Sequence, residues 1–316
     1  MDIANEVIAA EKRIRPHIRK TPLEYSPYYS ELAGADIYFK LENLQHTGSF
    51  KVRGAMNKVL SLTQSERQGG VVTASSGNHG AATAFSTAKL GGGSIVFVPD
   101  NASAAKVQAI ERLGAEVRCF GDDTAVTEAH ARRFARDNGL AYVPPYNDLE
   151  VIGGQGTIAV ELAGQLDRID AVFAALGGGG LISGIAGYLK AIHPHVEIVG
   201  CSPQNSQVMI QSIRAGKILD LPSQPTISDG TAGGLEPDTI TFELCRQFVD
   251  DFEVVTEDEI KASLRRYIQI HHMLVEGAAA VAIAAAMKMS RRFAGKKVVV
   301  VLCGANISLE TLKSVL

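Results

Sequence analysis

The sequence predicts an α/β protein built on two open, mainly parallel, twisted sheets with helices on both faces. Short apolar runs rich in β-branched residues alternate with helical stretches along most of the 316 residues, the order that produces parallel sheets. Most of these runs lack polar alternation, as strands covered on both faces should. A turn-rich segment at 143–156 (VPPYNDLEVIGGQG) separates an earlier strand group at 70–145 from a later one, which divides the strands between two sheets. The expected division is a large domain of residues 1–60 and 147–316 and a small domain of residues 61–146.

In chain order the strand candidates are IYFKL (37–41), GVVTAS (70–75), SIVFVP (94–99), AEVRCF (115–120), DAVFAAL (170–176), VEIVGC (196–201) and KVVVVLC (297–303). The best-signalled helix follows Thr256, where Glu259 completes a capping box. Its apolar positions Ile260, Leu264, Tyr267 and Ile268 repeat at helical spacing. VRGAMNKVLSL, directly after Lys51, reads as another helix.

Composition narrows the function. A net charge of −3, with 46% hydrophobic and 21% charged residues, is ordinary for a globular chain and gives no reason to expect a nucleic-acid or membrane partner. No run reaches the ~20 apolar residues that span a bilayer; GAAAVAIAAAM (277–287) is too short and alanine-rich. The charged N-terminus lacks an apolar signal core. Cys119, Cys201, Cys245 and Cys303 are scattered without C-x-x-C spacing, which points to a reduced, cytoplasmic protein and no zinc site.

The sharpest motif is ALGGGGLISG (175–184), four consecutive glycines between a buried strand and a helix. Backbone without Cβ atoms can turn successive N–H groups to one point at a helix N-terminus, which makes an anion cup, most naturally for phosphate. No lysine follows as a Walker loop requires, and Ser183 stands where a dinucleotide fingerprint needs its third glycine. Gly154 to Ala159 fits G-x-G-x-x-A, but no convincing strand precedes it. A second cluster, TASSGNHGAAT (73–83), groups Ser75, Ser76, Asn78 and His79 around Gly77 and Gly80 and offers donors to a carboxylate or phenolic oxygen. His79 by itself reads as a structural histidine. A third, LCGANIS (302–308), ends the most apolar strand at Cys303, where open α/β sheets hold ligands; alone, Cys303 reads as a small buried hydrophobe.

Lys51, in TGSFKVRGA, follows Gly48, Ser49 and Phe50 and opens a helix. It is either a snorkelling first-turn lysine or a reactive amine. Beside a phosphate cup the amine has a chemical use, because lysine condenses with carbonyls and pyridoxal 5′-phosphate carries both an aldehyde and a phosphate.

SFKVRGA, SSGNHG, GGGGLISG and CGAN, in that order over residues 21–316, together resemble the β-family (fold type II, tryptophan synthase β-like) of pyridoxal-phosphate enzymes. The similarity is to short serine/threonine dehydratases and serine racemases. The resemblance implies Lys51 as the covalent anchor of the cofactor and Phe50 against its ring. It implies Gly177, Gly178, Gly179, Gly180 and Leu181 around the phosphate, Asn78 on the ring 3-oxygen and Cys303 facing the ring nitrogen. Ser75 and Asn78 would bind the substrate carboxylate, and Lys51 would move the Cα proton. Ser76 matches the serine that handles protons on the opposite face in racemases. Asn147, Asp229, Gly230 and Glu276 would lie near the substrate or cofactor. The implied activity is α,β-elimination from a β-hydroxy-α-amino acid of the L-threonine or L-serine type, giving a 2-oxo acid and ammonia.

The alternatives are a serine or aspartate racemase and a dehydratase of 3-hydroxyaspartate or a hydroxylated diamino acid. A silent binding protein would show erosion at Lys51 or the glycines, and a Rossmann-type oxidoreductase lacks its fingerprint. Relatives are dimers or tetramers, so a homodimer or homotetramer is expected. Without a C-terminal regulatory domain, inhibition by isoleucine is not. Relatives with a divalent cation carry carboxylates in the stretch matching Cys201 to Val208; here there are none, so no metal is expected.

Overall fold

The computed structural model describes residues 2–316. The strands are β1 (Leu23–Tyr25), β2 (Asp36–Lys40), β3 (Val71–Ala74), β4 (Ser94–Val98), β5 (Glu116–Cys119), β6 (Ala141–Tyr142), β7 (Ala171–Ala175), β8 (Glu197–Pro203), β9 (Asp251–Val255) and β10 (Lys297–Val301). The first seven helices are α1 (Ile3–Ile14), α2 (Pro27–Ala33), α3 (Lys51–Ser61), α4 (Gln64–Gly69), α5 (Asn78–Lys89), α6 (Ala104–Glu111) and α7 (Thr124–Asp137). The rest are α8 (Leu149–Gln165), α9 (Gly180–Ile192), α10 (Val208–Ala215), α11 (Ile240–Phe248), α12 (Glu257–His271), α13 (Gly277–Lys288) and α14 (Leu309–Val315).

The strands form a six-stranded sheet, β1-β2-β10-β7-β8-β9, and a four-stranded sheet, β5-β4-β3-β6. Only β1 on β2 runs antiparallel; the other pairs are parallel. The purely apolar runs lie at the centre. Val298 of β10 pairs with Ile37 on one side and Ala171 on the other, and Val298 to Val301 are buried. α13 lies on β7, β8 and β10, with every residue from Gly277 to Ala286 buried. Its alanines let a helix sit close to a sheet, which accounts for an apolar run of that length without any membrane. Among the described residues no helix is long and apolar enough to cross one. The helix after Thr256 has its capping box, with Ile260, Leu264 and Tyr267 buried.

Three strands escape the sequence reading. β1 and β6 span three and two residues. β9 (DFEVV) is an edge strand whose first four residues are half-buried, so its acidic residues break the apolar run expected of an interior strand.

The segment read as turn-rich at 143–156 also needs correction: from Leu149 onward it is α8. Its glycines are there for close helix crossings. A Cβ at Gly154 would lie 2.5 Å from the Arg53 carbonyl oxygen and 2.6 Å from Gly54 Cα in α3. A Cβ at Gly156 would lie 2.7 Å from the Gly184 carbonyl oxygen in α9. α8 is therefore the beam against which α3, headed by Lys51, and α9, headed by the glycine cup, are set. Gly154→Ala should lower thermal stability by about 1–3 kcal/mol, as overpacking does, measured by calorimetry.

Candidate active site

Lys51 is the first residue of α3. Its approach is tightly specified: Thr47 and Gly48 both take positive φ, 61° and 71°, and Ser49 bridges Gly304. The Lys51 Nζ donates to the Pro145 carbonyl oxygen at 2.8 Å and lies 5.4 Å from the Phe50 ring centroid. No carboxylate pairs with it among the described residues. Burial lowers its ammonium pKa to about 8, against smaller upward contributions from Cys303, Glu276 and Glu128. Such an amine is partly neutral near physiological pH, as a nucleophile or base needs to be.

The glycine cup joins β7 to α9. Gly179 adopts φ 86°, a conformation open to glycine. The N–H groups of Gly178, Gly179, Gly180 and Leu181 donate to no acceptor among the described residues. They stand at the N-terminus of a 13-residue helix, where an anion is favoured. Side chains cannot enter: a Cβ at Gly178 would lie 2.6 Å from the Tyr146 ring, and one at Gly177 2.9 Å from Thr231.

The second cluster forms the turn from β3 into α5. Ser75 Oγ accepts from the Gly77 N–H at 3.2 Å, and α5 begins at Asn78 without a side-chain cap, leaving its first N–H groups for a ligand. Ser76 and Asn78 are half-buried. His79 points inward; its Nε2 pairs with the Val143 carbonyl oxygen at 2.9 Å. Burial and Lys51 depress its pKa to about 3, so it stays neutral. That suits the structural reading.

Asn78 Nδ2 donates to both oxygens of Glu276, at 3.1 and 3.0 Å. One N–H can serve a bidentate carboxylate, which leaves the second for another acceptor. Asn306 organises this corner: its Nδ2 donates to Asn78 Oδ1 at 2.6 Å and to the Thr47 carbonyl oxygen at 2.8 Å, and its N–H donates to Glu276 at 3.2 Å. Glu276 is buried, and burial raises its carboxyl pKa to about 7, partly opposed by Asn78. Cys303 Sγ lies 3.8 Å from Glu276. Burial, and then Glu276, push the thiol well above its ordinary value, so it remains protonated.

Of the remaining candidates, Gly230 adjoins Glu276, since a Cβ there would be 3.5 Å from Oε1. Asp229 is exposed and pairs with Lys106 at 3.2 Å. Asn147 Nδ2 donates to Glu236 at 2.7 Å, and its Oδ1 accepts from the Ile240 N–H at 3.0 Å. Sequence reasoning missed Tyr146, Asn306, Glu128, Arg132 and Glu236. CGAN carried a signal for Asn306 only.

The donor set fits pyridoxal 5′-phosphate. The cup would take a phosphate, the Lys51 amine, held only by a neutral carbonyl, would take an aldehyde, and Ser49 Oγ, fully buried, has no hydrogen-bond partner.

Comparison with known proteins agrees. The family described as pyridoxal-phosphate dependent enzyme matches residues 14–304. The catabolic L-threonine dehydratase of Escherichia coli is 38% identical over 98% of this chain and 95% of its own. The β-hydroxyaspartate dehydratase of Paracoccus denitrificans is 35% identical over 97% of each. The structure of maize serine racemase superposes with a TM-score of 0.93 at 33% identity, covering 98% of this chain and 95% of that one. The chain belongs to the pyridoxal-phosphate dependent enzyme family, on the fold type II scaffold, with pyridoxal 5′-phosphate as its cofactor.

Proposed function

We propose that this chain is a dehydratase (ammonia-lyase) that eliminates water from a β-hydroxy-α-amino acid of the L-threonine or L-serine type, yielding a 2-oxo acid and ammonia. The observation that carries the reading is the desolvated Lys51 amine, set by α8 against a cup of unpaired N–H groups. Similarity to dehydratases over nearly the whole chain supports it.

The bound cofactor supplies the electron sink that stabilises negative charge at the substrate Cα. Gly177 to Leu181 would hold its phosphate, Lys51 would anchor it and Phe50 would flank its ring. The spare N–H of Asn78 would serve the ring oxygen, and protonated Cys303 would give the ring nitrogen a neutral, weak partner. Ser75, Asn78 and the first N–H groups of α5 receive the substrate carboxylate. Lys51 Nζ takes the Cα proton, a task suited to an amine with pKa about 8. Loss of the β-hydroxyl completes the elimination, and the enamine hydrolyses after release. Glu276, its carboxyl raised by burial to about 7, fixes Asn78, while Asn147 and Gly230 border the substrate. Asp229 borders it more remotely.

Racemisation is the second reading, favoured by the Ser76 hydroxyl at the half-buried turn beside Asn78 and by the similarity to maize serine racemase. Incubation with L-threonine and L-serine, with 2-oxo acid and stereochemical inversion measured together, separates the two. Keto-acid release without inversion is expected; inversion without keto acid contradicts the dehydratase. Turnover should be unchanged by EDTA, because the 201–208 stretch carries no carboxylate; reactivation by Mg²⁺ after EDTA treatment would contradict this. The reading extends to a cytoplasmic homodimer or homotetramer, with a large domain of 1–60 and 147–316 and a small domain of 61–146. Sedimentation measures the assembly.

A further inference from the structure

The wall of the cleft beside Lys51 carries a charge imbalance that the elimination chemistry does not use. Arg132 of α7 lies between two carboxylates, Glu128 at 3.0 Å on the same helix and Glu236 at 2.6 Å from the loop before α11. The other Glu236 oxygen accepts from Asn147 at 2.7 Å, and the Glu236 N–H donates to the Tyr146 hydroxyl at 2.9 Å. Tyr146 is the ring packed on Gly178, and its neighbour Pro145 holds the Lys51 amine. The clasp therefore borders the reacting centre.

One guanidinium between two carboxylates leaves an excess negative charge. Tyr142 donates to Glu128 Oε1 at 3.4 Å, on the oxygen that also faces Arg132. The Glu128 and Glu236 carboxyl groups adjoin, and burial, with Glu128 adding to it, raises the Glu236 carboxyl pKa. The field reaches the chemistry, since Glu128 favours the ammonium form of Lys51. An arriving side-chain carboxylate would meet this excess charge and an arginine already shared between two partners. An arriving cation or N–H donor would meet two adjoining carboxylates that share a single guanidinium.

We propose that the Glu128–Arg132–Glu236 clasp reads the substrate beyond Cβ, selecting β-hydroxy-α-amino acids with a cationic or hydrogen-bond-donating side-chain group over those with a second carboxylate. The proposal rests on the dehydratase reading and names its substrate class.

The test compares the holoenzyme with the Glu128→Gln/Glu236→Gln double variant on L-threonine, L-threo-3-hydroxyaspartate and 3-hydroxyornithine. In the wild type, kcat/KM should favour the amine substrate over the dicarboxylate by about tenfold or more, the effect of one well-formed charge contact. In the double variant that ratio should fall by about tenfold, mostly through KM, with Arg132 now free to attract hydroxyaspartate. Wild-type preference for hydroxyaspartate would overturn the proposal, as would an unchanged ratio in a variant that still processes threonine. Titration of the cofactor absorption band by each amino acid reports binding alone. Tighter binding of the amine substrate, weakened in the variant, is expected; equal affinities overturn the clasp. Absence of 2-oxo acid from all three substrates, with that binding order intact, overturns the dehydratase reading instead.

Discussion

Lys51→Ala should lower turnover by about 10³-fold or more while leaving the fold intact. The amine is asked both to anchor the cofactor and to accept the Cα proton, and a positioned base alone is worth about 10²–10⁴-fold. Its surroundings are arranged for this. Its acceptor is a neutral carbonyl, that of Pro145, and burial brings its pKa to about 8, so a neutral amine is available without a large change in pH. The glycine cup does not depend on this side chain, so the variant should still bind the cofactor, more weakly and without a covalent link. Lys51→Arg is the sharper control. It preserves charge and reach, but a guanidinium does not deprotonate in proteins, so an equal loss of turnover is expected. Retention of substantial activity by the arginine variant would mean that Lys51 acts only as a positive charge. Steady-state assays of both variants, with thermal melts as a folding check, decide the matter.

Arg53→Met should destabilise the protein by about 3–5 kcal/mol, the usual consequence of removing one member of a buried ion network, seen as a fall in Tm of several degrees. Arg53 is fully buried two residues after Lys51. It grips Glu42 through two bonds of 2.7 and 2.8 Å and Glu161 through one of 2.8 Å. Glu161 also takes Lys40 at 2.5 Å and Arg15 at 2.7 Å. With Glu11 on Arg15, three cations thus meet three carboxylates at the crossing of α3, α8 and β2. Burial alone would raise the Glu161 carboxyl, but Arg53 and Lys40 outweigh it and hold its pKa at about 2. Burial lowers the Lys40 ammonium even with Glu161 beside it, and Arg53 is the largest of the influences that lower Glu161. The sign of the pH dependence follows. A carboxylate depressed from 4.5 to about 2 stabilises the fold above pH 4.5 and loses that contribution as pH falls toward 2. The gap between wild type and Arg53→Met should therefore be widest near neutrality and close on acidification.

Elements whose local pattern has one cause were readable from sequence. β10 is apolar because both its faces are covered, and the turns into α5 and α9 are glycine-rich because Gly80 meets the Ser75 carbonyl, Gly178 meets the Tyr146 ring and Gly179 takes a positive φ. The glycines of α8 read as part of a turn-rich segment because glycine serves turns and helix crossings alike. Gly154 meets Gly54 of α3, and only the tertiary partner tells the two uses apart. β9 was missed because an edge strand mixes Asp and Glu with Val. In the site, Lys51 and the glycine cup announce themselves through unusual local spacing. Glu128 and Arg132 look like an ordinary surface pair one turn apart on a helix. Their partner Glu236 stands 104 residues beyond Arg132, and no local pattern links them. Tyr146 was hidden in the same way, as a tyrosine in a loop whose role is to close against Gly178.

The Lys51 amine, and no other, should carry the cofactor. Borohydride reduction of the loaded protein, followed by proteolysis and mass mapping, tests it most directly. A phosphopyridoxyl mass on the peptide containing SFKVR, at the lysine itself, is the predicted result. A label on any other lysine, or none on a protein that still turns over substrate, would contradict the account.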